Sequence, residues 1–176
     1  MEVFNGAPDN IDARLPKEKK VYEALASLNI EYTRVDHAPA DTMEDCIAIG
    51  DALGAPVCKN LFLTNSQRTK FYLLAMPGDK PFKTKDLSKQ INSSRLSFAE
   101  PEYALKYLDI TPGSVSMAGL INDNECAVQL LIDEDVISSE YVGIHPCVNT
   151  STIRLKVSDV LKLAQSTGHS AITVKL

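Results

Sequence analysis

Lys59 stands inside an otherwise apolar run, Val57-Cys58-Lys59-Asn60-Leu61-Phe62-Leu63. Lysine is seldom buried without a partner. Such a residue either guards an edge strand against aggregation or offers a cation to a ligand in a cleft, and its neighbours alone leave both readings open. His145 and Cys147 lie two apart in an apparent strand, where alternation turns both to one face. That pairing could serve a metal or a Cys–His nucleophile. Two ligands do not make a metal site, however, and His37 and His169 have no ligand spacing, so no metal is expected. Cys147 reads more simply as a small buried residue. The segment Gly113-Ser114-Val115-Ser116-Met117-Ala118-Gly119-Leu120 is rich in small residues. Its two glycines would let the backbone approach a ligand or turn sharply; taken alone it reads as an ordinary connection. A Gly-rich phosphate loop, an HExxH helix and a GxSxG elbow are all missing, which removes the common nucleotide, zinc-protease and serine-hydrolase readings.

The net charge of -5 argues against broad duplex binding, because phosphate contacts dominate that affinity and favour basic proteins. A local contact to one nucleic-acid end stays open, since patches set fields as well as totals. The one strong basic stretch holds Lys80, Lys83, Lys85, Lys89 and Arg95 against the single acid Asp86. By itself it reads as a solvated helix face. No run approaches the roughly 18 apolar residues of a membrane span, and Met1 to Arg14 has neither the basic start nor the apolar core of a secretory signal. Cys46, Cys58, Cys126 and Cys147 form no CxxC pair. Free thiols in a reducing cytoplasm are therefore expected.

The elements that must carry these residues follow from periodicity and punctuation. Pro16 opens a helix with Val21, Leu25 and Leu28 on one face, and Ile30 to Val35 follows as a strand. Thr42 and Asp45 resemble a capping box for a helix through Ile49 that stops near Gly54. Val57 to Thr64 and Thr69 to Met76 read as a hairpin around Asn65-Ser66-Gln67. Thr84 to Ile91 is a short helix, and Pro101 starts another that ends near Leu108. Cys126 to Ile132 is apolar except for Gln129, as in a strand buried on both faces. Tyr141 to His145 and Thr152 to Leu155 are shorter strands. Ser158 is expected to cap a helix over Val160 to Gln165, with Gly168 as its stop and Ala171 to Val174 as a last strand. Helices and strands mix without strict alternation, which indicates one α+β or mixed-sheet domain.

Taken in order, Lys59-Asn60-Leu61-Phe62-Leu63, Gly113-Ser114-Val115-Ser116, Gly119-Leu120-Ile121-Asn122-Asp123, His145-Pro146, Asn149-Thr150-Ser151-Thr152 and Gly168-His169 resemble the YbaK/ProX-like aminoacyl-tRNA editing family, within it the freestanding type that acts on prolyl-tRNA. The resemblance covers residues 15 to 176 and leaves 1 to 14 as an N-terminal extension. It implies a single α+β domain with a mixed, barrel-like β-sheet flanked by helices. It implies a trans-editing deacylase for mischarged prolyl-tRNA, foremost alanine on proline tRNA, with no cofactor. The family's lysine falls on Lys59, its asparagine on Asn60 and its histidine on His145. Its substrate loop falls on Gly113, Ser114, Val115, Ser116, Met117 and Gly119, with Met117 where many relatives carry proline. The implied partners are the acceptor end of mischarged tRNA, met by the basic stretch from Lys80 to Arg95, and transiently prolyl-tRNA synthetase. A non-catalytic tRNA-binding module and a small-molecule thiol hydrolase using Cys147 are the alternatives.

Overall fold

A computed structural model describes all residues, 1–176. Helix α1, Pro16–Ser27, starts on its proline and buries Val21, Tyr22 and Leu25. Helix α2, Met43–Leu53, has a complete capping box: Asp45 N donates to Thr42 Oγ1 at 3.1 Å and Thr42 N to Asp45 Oδ2 at 3.0 Å. Gly54 ends it in the left-handed conformation, φ 67°. The hairpin of β3, Lys59–Asn65, and β4, Phe71–Met76, pairs Lys59 with Met76. Its turn closes on the Asn65 side chain, which accepts from Thr69 N and Lys70 N at 2.8 and 3.0 Å.

The strands form two sheets instead of one barrel-like sheet. The first is antiparallel: β1 (Phe4–Asn5), β2 (Thr33–Asp36), β8 (Ser151–Lys156) and β7 (Tyr141–Ile144), in that order. The second runs β5 (Leu96–Phe98), β3, β4, β6 (Val128–Asp133), β9 (Ala171–Val174). It is mixed, because β4, β6 and β9 run parallel while β3 runs antiparallel to its neighbours. Strand β6 is buried on both faces as expected: Leu130 belongs to the main core of 29 residues and Leu131 to a second cluster of 8. The sheets touch where the lead-in to β3 docks on the free edge of β7. Gly143 N donates to Pro56 O at 2.8 Å, and Cys58 N donates to Gly143 O at 3.2 Å. Glycine at 143 lets the segments approach this closely: a Cβ there would lie 3.0 Å from Val57 Cγ2 and 3.4 Å from Thr152 Cγ2, so those side chains would have to give way.

The first 14 residues lie against the domain. Phe4 pairs with Arg34 in β1–β2, and Arg14 binds Asp36 at 2.6 Å. Helices α3 (Thr84–Gln90) and α4 (Pro101–Leu108) match their expected positions. The last helix, α6 (Val157–Gln165), begins directly on β8, so Ser158 is not its cap. Instead Val157 N donates to Glu140 O at 3.0 Å. Five elements escape the periodicity reading: β1, a 3-10 turn over Ile11–Ala13, β5, the four-residue α5 (Glu134–Ile137), and a 3-10 helix over Met117–Asn122.

Candidate active site

The junction between the sheets opens into a cleft of about 390 Å³. Lys59, Asn60 and Cys58 line it from β3 and its lead-in, Gly113 and Val115 from the turn after α4, and His145 from just beyond β7. The segment leading into α2 and its first turns supply Asp41, Met43 and Cys46. Docking of residues 56–58 on Gly143 brings Lys59 to His145, since both lie just past that contact.

Lys59 is exposed and has no carboxylate within ion-pair distance. It is a free cation at the cleft wall, on the stretch of the β3 edge that β5, which pairs only with residues 63–65, leaves uncovered. The Asn60 amide donates to Cys58 O at 3.2 Å. Its Oδ1 is buried without a partner, and such an acceptor costs about 1–3 kcal/mol. His145 Nδ1 faces the carbonyl of Ser151 at 3.0 Å and the hydroxyl of Thr152 at 3.1 Å. Burial lowers the His145 pKa from its ordinary 6.5; the Ser151 carbonyl opposes this and His37 adds to it. The imidazole is therefore neutral at pH 7, and its Nε2 has no protein partner. His37, which sequence spacing left without a role, reaches the same hydroxyl: His37 Nε2 lies 2.9 Å from Thr152 Oγ1, and the two imidazole centroids are 6.1 Å apart.

The glycine-containing loop divides. Gly113 has φ 85°, a left-handed conformation that favours glycine. The N–H groups of Gly113 and Val115 make no hydrogen bond within the protein and remain available at the cleft. Ser114 is buried, with its N–H donated to Thr111 O. Ser116, Met117 and Gly119 do not line the cleft. Ser116 caps the 3-10 helix, accepting from Ala118 N at 3.2 Å, and Met117 packs in the main core. A Cβ at Gly119 would meet Ile110 Cδ1 at 2.5 Å, so this glycine serves packing against the end of α4. Winding of residues 117–122 turns these side chains inward, and that is why a contiguous substrate loop does not form.

Cys147 is not beside His145 on a strand. β7 ends at Ile144, Cys147 takes φ 63°, and its side chain is fully buried. Burial pushes its thiol up to about 12, far from a thiolate at neutral pH, which removes the thiol-hydrolase alternative. Lys80 is also engaged: its Nζ contacts Asp133 Oδ1 at 2.9 Å and Asp135 Oδ2 at 2.8 Å. Since Asp133 is fully buried, Lys80 neutralises an interior acid and is not offered to phosphate. Lys83, Lys85, Lys89 and Arg95 are exposed and unpaired.

A mixed-sheet domain with a free lysine, a neutral histidine and unused backbone donors around one cleft is suited to hydrolysing an activated ester. The model of the aminoacyl-tRNA editing domain matches residues 37–163. The chain belongs to this family, in its YbaK/ProX-like branch, and is an aminoacyl-tRNA hydrolase that acts on mischarged tRNA. It is 31% identical over 159 residues to the prolyl-tRNA editing protein ProX of Acetoanaerobium sticklandii, a match covering 90% of this chain and 97% of that one. It is 29% identical to prolyl-tRNA synthetase associated domain-containing protein 1 of Danio rerio, covering 88% and 84%. A solved structure of a candidate trans-editing enzyme for prolyl tRNA synthetase superposes with a TM-score of 0.69 at 19% identity, over 93% of this chain and 99% of that one.

Proposed function

We propose that this protein is a freestanding deacylase that clears amino acids wrongly attached to proline tRNA, alanine foremost. The observation that carries the reading is the meeting of an unpaired Lys59, a neutral His145 and the free N–H groups of Gly113 and Val115 around one cleft. The names of its relatives point to prolyl-tRNA as the target.

Editing is needed because a proline site cannot strongly reject a smaller amino acid; a missing methylene is worth only about 1–3 kcal/mol. A second pocket that admits alanine and sterically refuses a five-membered ring corrects the error. In the cleft, water attacks the ester carbonyl carbon. The new C–O bond forms as the carbonyl π bond opens to an oxyanion; the oxyanion then re-forms the carbonyl as the bond to the ribose oxygen breaks, and a proton of the water ends on that leaving oxygen. The Gly113 and Val115 N–H groups stabilise the developing oxyanion. Lys59 holds the terminal nucleotide by charge, and His145 orients the water or the neighbouring ribose hydroxyl. No covalent nucleophile is required. Lys83, Lys85, Lys89 and Arg95 meet phosphates of the acceptor end, and contact with prolyl-tRNA synthetase is transient, in the cytoplasm.

Purified protein is to be assayed against proline tRNA carrying alanine, serine, cysteine or proline. Rapid release of alanine with proline retained is expected. Equal rates for alanine and proline would remove the sieve, and tight binding without any release would leave a binding module.

A further inference from the structure

His145 has one ring nitrogen engaged and one free, and the engagement extends to His37. A carbonyl oxygen only accepts, so the Nδ1 that faces Ser151 O at 3.0 Å carries the proton. Thr152 Oγ1, at 3.1 Å from that same N–H, is thereby an acceptor and must send its own proton elsewhere. His37 Nε2 lies 2.9 Å from it. This nitrogen is free to accept, because His37 Nδ1 faces Ala38 O at 2.7 Å and so holds the proton of that ring. The chain therefore runs in one direction, from His145 N–H to Thr152, from Thr152 O–H to His37, and from His37 N–H to Ala38. Any other neutral arrangement sets lone pair against lone pair at one of the two carbonyls.

We propose that His37, acting through the Thr152 hydroxyl, is a positioning residue that holds His145 as the Nδ1–H tautomer with its Nε2 lone pair offered to the substrate. The proposal rests on the reading of the cleft as the deacylation site. With His37 absent, Thr152 O–H can rotate and donate to Nδ1 of the opposite tautomer; that hydrogen bond offsets the lone pair then turned toward Ser151 O, and the ring would present an N–H to the ester instead of an acceptor. An acceptor at Nε2 takes a hydrogen bond from the attacking water or the ribose hydroxyl and aligns its oxygen with the carbonyl carbon. A donor there would pull on a lone pair that the attack needs. The other titratable groups around His145 are Asp41 and Cys46, on the approach to α2 and on α2, and Cys58 and Lys59, at the start of β3. None of them touches its ring nitrogens.

Nitrogen-15 NMR of histidine-labelled protein reads the tautomer directly on the free protein, whether or not the deacylation reading holds. Wild type is expected to show His145 as Nδ1–H alone. In His37→Ala, where the freed Thr152 O–H can turn to Nδ1, a second, Nε2–H population appears. With alanyl-tRNA(Pro), kcat of His37→Ala falls about tenfold, within the roughly 100-fold that misplacing a catalytic group can cost, while KM stays near wild type. Adding Thr152→Val to His37→Ala leaves only the Ser151 carbonyl against Nδ1 and returns the Nδ1–H form, and Thr152→Ser alone, which keeps the hydroxyl and His37, matches wild type in spectrum and kcat. An Nε2–H signal in wild type, or an unchanged His145 spectrum in His37→Ala, overturns the proposal. A changed tautomer with undiminished kcat overturns the positioning role and leaves the deacylase itself standing.

Discussion

His145 and His169 occupy two regions that use the same side chain in opposite ways. His169 is buried, and both its ring nitrogens are taken: Nε2 meets Asp123 Oδ2 at 2.9 Å and Nδ1 meets Thr167 Oγ1 at 3.1 Å. Asp123 in turn accepts from Ala127 N and Val128 N at 3.1 and 2.8 Å. The cluster ties the loop after α6 to the end of the 3-10 helix and the start of β6. His145 leaves one nitrogen unengaged at a cleft wall, beside a lysine without a partner. A histidine whose hydrogen-bonding capacity is fully used holds structure together, whereas one with a free nitrogen in a cleft has something left for a ligand. The same contrast separates Lys80, engaged by two aspartates, from Lys59.

Removing one partner of a buried pair has the largest expected effect. His169→Ala leaves the buried Asp123 carboxylate with only its two backbone donors and opens a cavity beside it, and should cost about 3–5 kcal/mol of stability. Denaturant unfolding measures this, and deacylation at low temperature should survive in the folded fraction. A loss of turnover without a loss of stability would reverse the assignment of the two histidines. Met117→Ala belongs on the same side of the comparison. Its side chain is in the core, so truncation should lower stability by about 2–5 kcal/mol and leave amino-acid selectivity unchanged. Faster release of proline by a stable Met117→Ala would instead put that side chain at the substrate.

On the cleft side, Lys59→Ala should keep the melting temperature and lose transition-state stabilisation on the order of 2–4 kcal/mol, read as kcat/KM for alanyl-tRNA(Pro). Near wild-type turnover in a folded variant would take Lys59 out of the reaction. The pH dependence follows from His145. Its pKa is depressed in the folded protein by burial, so the neutral form and its contribution to stability are complete above the unfolded value. Both decline as pH falls below 6.5 and through the lower folded value. An acid limb in kcat that lies below pH 6.5 and disappears in His145→Ala is expected from a pH–rate profile; a limb that persists belongs to another group. The smallest effect concerns the outer surface. Replacing Lys83 and Lys85 together should weaken tRNA binding without altering selectivity, and flatten the log–log salt dependence by roughly one to two units. A wild-type slope would assign these lysines to solvent.

Most local structure is legible in the chain. Pro16, the Thr42–Asp45 box, Gly54, the Asn65 turn and Pro101 act within a few residues of themselves, and each element they punctuate is present. The two-sided burial of β6 follows from an apolar run that admits no solvent face. Short-range signals fail where a neighbour far along the chain decides. β5 is three residues long and exists by pairing with β3, and residues 117–122 wind inward against α4 and α6. The site divides in the same way. Lys59, Asn60, Gly113, Val115 and His145 were marked by residue type and family pattern, and all five line the cleft. His37 carried no mark, because its partner Thr152 is 115 residues away. Sequence alone thus determined the elements and which residue types could act as cation, donor or base, since those depend on covalent chemistry and near neighbours. Only the tertiary structure decided which lysine is free, which histidine keeps a nitrogen for the cleft and which glycines serve packing, because those turn on contacts between segments that the chain order keeps apart.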